Sequence, residues 1–182
     1  AQVAPLKEQS EKAFQACLDR AEALEVFSPA VIGCRKQVDD ATSPLKNAPA
    51  ERPVATEALV KKAESTQAAA DFEALGLAYL SGFKLHEAQL ALTRTLEIED
   101  ARAGAHTALG YALLLSGDPM SARAEYGRAL EADPTWEKAR ANVGALKCRY
   151  GDVEGARREL AVVKDLAALT GPEVDPECKS CK

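Results

Sequence analysis

Residues 103–136 read AGAHTALGYALLLSGDPMSARAEYGRALEADPTW, and the reading of this stretch decides the fold. Its first part is an apolar-periodic run of good helix formers that ends near Leu115. Gly117-Asp118-Pro119 then breaks the pattern. Asp118 is placed to cap a following helix, and Pro119 takes the first helical position, where a missing N–H is tolerated. A second run, with Ala122, Tyr126 and Ala129 at helical spacing, continues to Pro134. The stretch therefore predicts two antiparallel helices joined by a short turn.

The same pattern recurs on either side at a spacing of 34 residues. Leu75, Leu109 and Val143 form one column, Gly76, Gly110 and Gly144 the next, and Ala88, Ala122 and Ala156 a third. Leu92, Tyr126 and Leu160 align on the second helices, and Tyr79 with Leu113 on the first. Glycine destabilises a helix relative to alanine, so three in phase point to a close approach. The expected contact is between each glycine and the alanine twelve positions later.

These columns resemble the tetratricopeptide repeat family, whose unit of this length is a helix-turn-helix with the same order of large, small and aromatic positions. The middle unit matches best, through Leu109, Gly110, Gly117, Ala122, Tyr126, Ala129 and Pro134. The flanking units, 69–102 and 137–170, drift: Thr95 and Val163 replace the late alanine, and Asp100 and Ala168 the late proline. The resemblance implies an all-α chain, a short solenoid of three units within residues 55–170. In the family the first helices line a concave groove. Carried onto this chain, the groove comprises Glu73, Leu77 and Leu80, then Thr107, Tyr111, Leu114 and Leu115, then Lys138, Ala145 and Arg149, with Ala141 and Cys148 beside them. Its middle is apolar, suited to an amphipathic helix or hydrophobic peptide. The alternatives are that the chain's own N-terminal helix or tail fills the groove, or that these side chains are interhelical core. The clamp with which some family members hold C-terminal carboxylates is missing, since only Lys138 and Asn142 stand at matching places.

Composition narrows the classes. The chain of 182 residues is 47% hydrophobic but 5% aromatic, which favours closely packed helices over sheets. A formal charge of -5, without any long Lys/Arg run, argues against nucleic-acid binding. No stretch approaches the ~20 apolar residues of a membrane-spanning helix. His86 and His106 fall in different units with no companion at ligand spacing, and no phosphate loop or nucleophile motif occurs, so neither enzyme activity, metal nor cofactor is expected. Trp136, at the join of the second and third units, reads as an aromatic wedge between helices.

The beginning, Ala1-Gln2-Val3-Ala4-Pro5, reads either as a mature end left by signal peptidase or as a trimmed chain. Residues 1–40 predict a helical hairpin, with Leu6, Phe14, Cys17, Leu18, Ala21 and Leu24 on one stripe and Val31, Ile32, Cys34 and Val38 on the other. Folding it brings Cys17 and Cys34 to similar heights, which suits a disulfide. Residues 41–54 carry three prolines and form a stiffened linker. A helix from about Thr56 to Ser65, with Thr56 as N-cap, leads into the first unit.

After the last unit, Gly171-Pro172 stops the structure and residues 171–182 form a tail containing Cys178 and Cys181. No polar capping helix follows the third unit, so the hairpin, the tail or another protein, including a second copy, must cover its end. A bridge from Cys148 to Cys178 or Cys181 would pin the tail there. Together these features predict a protein-interaction scaffold in a periplasmic or other extracytoplasmic assembly, with a protein or peptide partner. The alternatives are a cytosolic chaperone for an export substrate, with all cysteines reduced, and a thiol-redox protein using Cys178 and Cys181.

Overall fold

The computed structural model describes residues 54–175. The hairpin expected over 1–40, all but the last residue of the linker, and Cys17, Cys34, Cys178 and Cys181 lie outside the described residues. The chain divides into two compact units, one of Glu51–Arg149 with Val153–Lys182, the other of Ala1–Ala50 with Tyr150–Asp152. The helices and packing described here belong to the first.

The described residues are all-helical, with seven helices and no strand: α1 (Glu57–Thr66), α2 (Ala69–Ser81), α3 (Leu85–Ile98), α4 (Ala103–Leu115), α5 (Pro119–Ala132), α6 (Glu137–Arg149) and α7 (Val153–Leu160). From α2 onward the starts of alternate helices are 34 residues apart, so the period seen in the sequence is a period of helix pairs. Each helix packs on its successor, and α2, α4 and α6 also touch in order. None is long and apolar enough to cross a membrane.

The middle pair shows why the chain folds this way. Asp118 caps α5, its Oδ1 accepting from the Ser121 N–H at 3.0 Å, and Pro119 is the first helical residue. That hydrogen bonding with Ser121 holds the Asp118 carboxyl below its ordinary pKa. Gly117 (φ 87°) makes the left-handed turn between the helices, and Gly151 (φ 88°) does so before α7. Nine of the thirteen residues of α4 are buried, so this helix is the centre of the array. Leu80, Ala88, Leu92, Ala105, Ala108, Leu109, Tyr111 and Ala112 form its core cluster. At one end α1 covers α2 through Leu59, Val60 and Ala63 against Phe72, Leu75 and Tyr79. Trp136 packs with Ala103, Ala129 and Ala139, wedged among α4, α5 and α6 as the sequence suggested.

Three expectations are corrected. The glycine columns do not chiefly face the alanines twelve residues on: they make room for the large residue sixteen on. A Cβ at Gly76 would fall 2.6 Å from Leu92 Cγ, at Gly110 2.6 Å from Tyr126 Cε1, and at Gly144 2.7 Å from Leu160 Cγ. The alanines contribute a backbone carbonyl, at 3.0 Å from that position for Ala122 and 3.5 Å for Ala156. Thr56 stands at the N-cap of α1, but its side chain makes no capping hydrogen bond, because its backbone (φ -105°, ψ -8°) is near-helical rather than extended. Finally, α7 ends at Leu160 after eight residues, where α3 and α5 have fourteen. The β-branched pair Val162-Val163 follows, and the chain runs on in turns.

Candidate functional site

The face of α6 holds a segment of the chain itself. Residues Gly171 to Val174 form a turn, closed by the Val174 N–H donating to the Gly171 carbonyl at 3.3 Å, with Pro172 at its second position. Gly171 has φ 129°, a conformation that an L side chain rarely adopts. The turn returns the chain over α6 and lays Glu173-Val174-Asp175 along it, all three buried.

Asn142, fully buried, grips the backbone of that segment from both sides. Its Nδ2 donates to the Glu173 carbonyl at 2.7 Å, and its Oδ1 accepts from the Asp175 N–H at 2.9 Å. A side-chain amide supplies one donor and one acceptor in a plane, so it reads main-chain groups and not the side chains beside them. The side chains are read by what flanks Asn142. Lys138 Nζ pairs with Glu173 Oε1 on one side, and Arg149 Nη2 with Asp175 Oδ2 at 2.8 Å on the other. Val174 packs between them on Ala141 and Ala145. Asp175 is 1% exposed, so its carboxylate is held inside the protein by a specific cation. Burial pushes the Tyr126 phenol well above its ordinary pKa, and the negative charge of Asp175 adds to the shift.

The expected groove residues therefore divide. Lys138, Ala145 and Arg149, with Ala141, converge on the segment. Tyr111 is nine-tenths buried in the α4 cluster, and Leu77 and Leu114 are half-buried against it. Leu80 (2% exposed) and Thr107 (0%) are interior, the Thr107 hydroxyl donating to the Ala103 carbonyl at 2.7 Å, so both are interhelical core and offer no surface. Leu115 remains exposed. Glu73 is engaged by Arg102, whose Nε and Nη2 lie 2.9 and 2.6 Å from one carboxylate oxygen, and its other oxygen lies over Gly104. Cys148, next to Arg149, is disulfide-bonded, with its partner outside the described residues.

Sequence reasoning ranked Asn142 as the remnant of a missing clamp and gave no role to Glu173, Val174 or Asp175. A signal was present: an acidic-aliphatic-acidic triplet in the tail matches Lys138, the Ala141/Ala145 stripe and Arg149 in order and sign. Of the histidines, His86 is exposed, while His106 is buried between α4 and α5. Its Nδ1 lies 2.7 Å from Glu125 Oε2 and its Nε2 2.8 Å from the Asp100 carbonyl, a packing role. No protein-family model matches the chain, and no curated protein matches it in sequence.

Proposed function

We propose that the chain is a tetratricopeptide-type interaction scaffold, whose α2, α4 and α6 present a groove to a segment of a partner protein. The observation that carries this reading is the Asn142 side chain clasping the main chain of Glu173 and Asp175, because a helix face that hydrogen-bonds a passing main chain has the equipment of a peptide site. The 34-residue interval between alternate helix starts supports the repeat type. The apolar part of the groove, around Leu77, Leu114 and Leu115, would take hydrophobic side chains of the same partner, each buried Å² contributing roughly 25 cal/mol. The scaffold would be non-enzymatic.

An extracytoplasmic setting is supported by the disulfide at Cys148, since reducing compartments do not maintain such bonds. Asp175 is fixed beside Arg149, one residue from Cys148, and Cys178 follows three residues later, within the roughly 10 Å that three extended residues span. That supports pairing Cys148 with Cys178 or Cys181, and leaves Cys17 and Cys34 for a separate bridge. Intact mass after alkylation with and without reductant tests it: one blocked thiol before reduction and five after is the expected result, and five in both conditions would refute it. For the groove, affinity capture from the source cells with wild type and with Leu115→Glu, quantified by mass spectrometry, should show specific partners lost by the variant at unchanged thermal stability. Recovery of the same proteins by both would count against the reading.

A further inference from the structure

We propose that His106 is a pH-sensitive tie between the first and second helix pairs: it holds the connection after α3 to α5 while its imidazole carries both ring protons, and loosens when one is lost. The inference does not depend on what the groove binds.

The ring is buried, yet each of its nitrogens faces an oxygen acceptor. Nδ1 lies 2.7 Å from Glu125 Oε2 on α5, and Nε2 lies 2.8 Å from the Asp100 carbonyl on the connection after α3. Glu125 is engaged as a carboxylate, its Oε1 accepting from Arg128 Nη1 at 2.5 Å. A neutral imidazole has one N–H and one bare nitrogen, so it satisfies only one of the two acceptors. The imidazolium satisfies both.

The third helix pair contains the same seat with a permanent cation in it. Arg140 stands where the 34-residue repeat of helix pairs puts the counterpart of His106. Its Nη1 lies 3.2 Å from Glu159 Oε2, 19 residues on, and its Nη2 donates to the Pro134 carbonyl at 2.9 Å, 6 residues back. The contacts of His106 with Glu125 and Asp100 have the same two offsets. The second oxygen of Glu159 is also held by a cation, Lys147 Nζ at 2.8 Å, as Arg128 holds that of Glu125. Arginine donates from every nitrogen and does not lose its charge. The seat is therefore built for a double donor, and histidine makes the second copy of it titratable.

The charges around the ring act in the same direction. Glu125 and Arg128 face it from α5, Glu131 lines the recess beside it, and Asp100 brings its carboxylate Oδ1 to 3.8 Å from Nε2. Asp100 is exposed, so a released proton passes to water by this recess. Because the folded chain uses the doubly protonated ring, the stabilisation is fully present below about pH 6.5, where free imidazole is charged, and is lost as pH rises beyond it.

Urea unfolding of the full chain at about pH 5.5 and about pH 8 tests this. Relative to His106→Gln, which is neutral throughout, the wild-type unfolding constant should rise about tenfold at the higher pH, roughly the worth of one hydrogen bond to a charged group. His86 is present in both chains, so its contribution cancels. Arg140→His should acquire a dependence of the same sign, smaller because that side chain is 28% exposed. Protection of the His106 amide, which donates to the Arg102 carbonyl at 3.1 Å, should fall at the higher pH in wild type and not in His106→Gln. A His106→Gln chain that loses stability with pH as steeply as wild type would overturn the proposal, and so would an Arg140→His chain that unfolds alike at both. Should His106→Gln not fold, Arg140→His and the wild-type amide protection decide.

Discussion

Gly110→Ala and Gly127→Ala add the same methyl group to two helices and should change stability in opposite directions. At Gly110 the new Cβ would lie 2.6 and 2.8 Å from Tyr126 Cε1 and Cδ1 and 3.0 Å from the Ala122 carbonyl oxygen. The ring cannot swing aside, since Tyr126 is fully buried, and the carbonyl moves only if α5 moves. Overpacking of this kind costs roughly 1–3 kcal/mol. The gain in helix propensity returns roughly 0.5–1 kcal/mol, so the net destabilisation is roughly 1–2 kcal/mol. Gly127 lies within α5 with nothing within 4 Å of its would-be Cβ, so alanine there gains the propensity term alone. Urea unfolding followed by far-UV circular dichroism should separate the two variants by about 2–3 kcal/mol. Gly144→Ala should fall between them, because its clash is with the half-buried tip of Leu160. If Gly110→Ala is as stable as Gly127→Ala, the close packing of α4 on α5 is not what the glycine column serves.

Asn142→Ala removes two buried hydrogen bonds worth roughly 1 kcal/mol each, and should raise hydrogen exchange at the Asp175 amide while α2–α5 keep their protection; unchanged exchange there would show that Asn142 does not hold the segment. The Tyr126 phenol has its folded pKa raised above the unfolded value, so the folded state holds the proton longer and stability falls as pH rises from about 10 upward. Tyr126→Phe should flatten that alkaline loss, and a variant that loses stability as steeply as wild type would contradict the assignment. Asp118→Ala should cost about 1 kcal/mol through the cap of α5, measured by thermal melting; no change would show that Ser121 needs no acceptor there.

Much of the array was legible because its signals are local. The Gly117-Asp118-Pro119 punctuation fixes the start of α5 by backbone chemistry that needs no tertiary context, and the helix appears where that chemistry puts it. The glycine column was legible as a close approach, but not the identity of the neighbour. Which residue fills a gap depends on the angle between two helices, and a one-dimensional pattern does not contain that angle. Leu80 and Thr107 were misplaced for the same reason, since a small rotation of a helix decides between groove wall and core. The early end of α7 was signalled only by Val162-Val163. The site itself was half legible: Lys138, Ala145 and Arg149 follow from repeat spacing, whereas Glu173-Val174-Asp175 reach them through a turn that reverses the chain after Gly171.

The segment that fills the site lies next to the one that closes the array, and separating their roles shows which of them holds the end of the helices. Ala141 and Ala145 on α6 would face solvent if nothing followed α7. Val163, Leu160, Leu166 and Leu169 cover them together with Val174, taking the place of a capping helix. Most of this apolar cover precedes Gly171, so the lid does not depend on Glu173 and Asp175. Val163→Ala with Leu169→Ala should therefore cost roughly 2–4 kcal/mol by opening the lid. Glu173→Ala with Asp175→Ala should cost less, because the side chains of Lys138 and Arg149 are 30% and 25% exposed and turn to water once released. Thermal or urea unfolding of the two full-length double variants makes the comparison. If the acidic pair proves as costly as the apolar pair, the ion pairs of Glu173 and Asp175, and not the apolar lid alone, hold the end of the array.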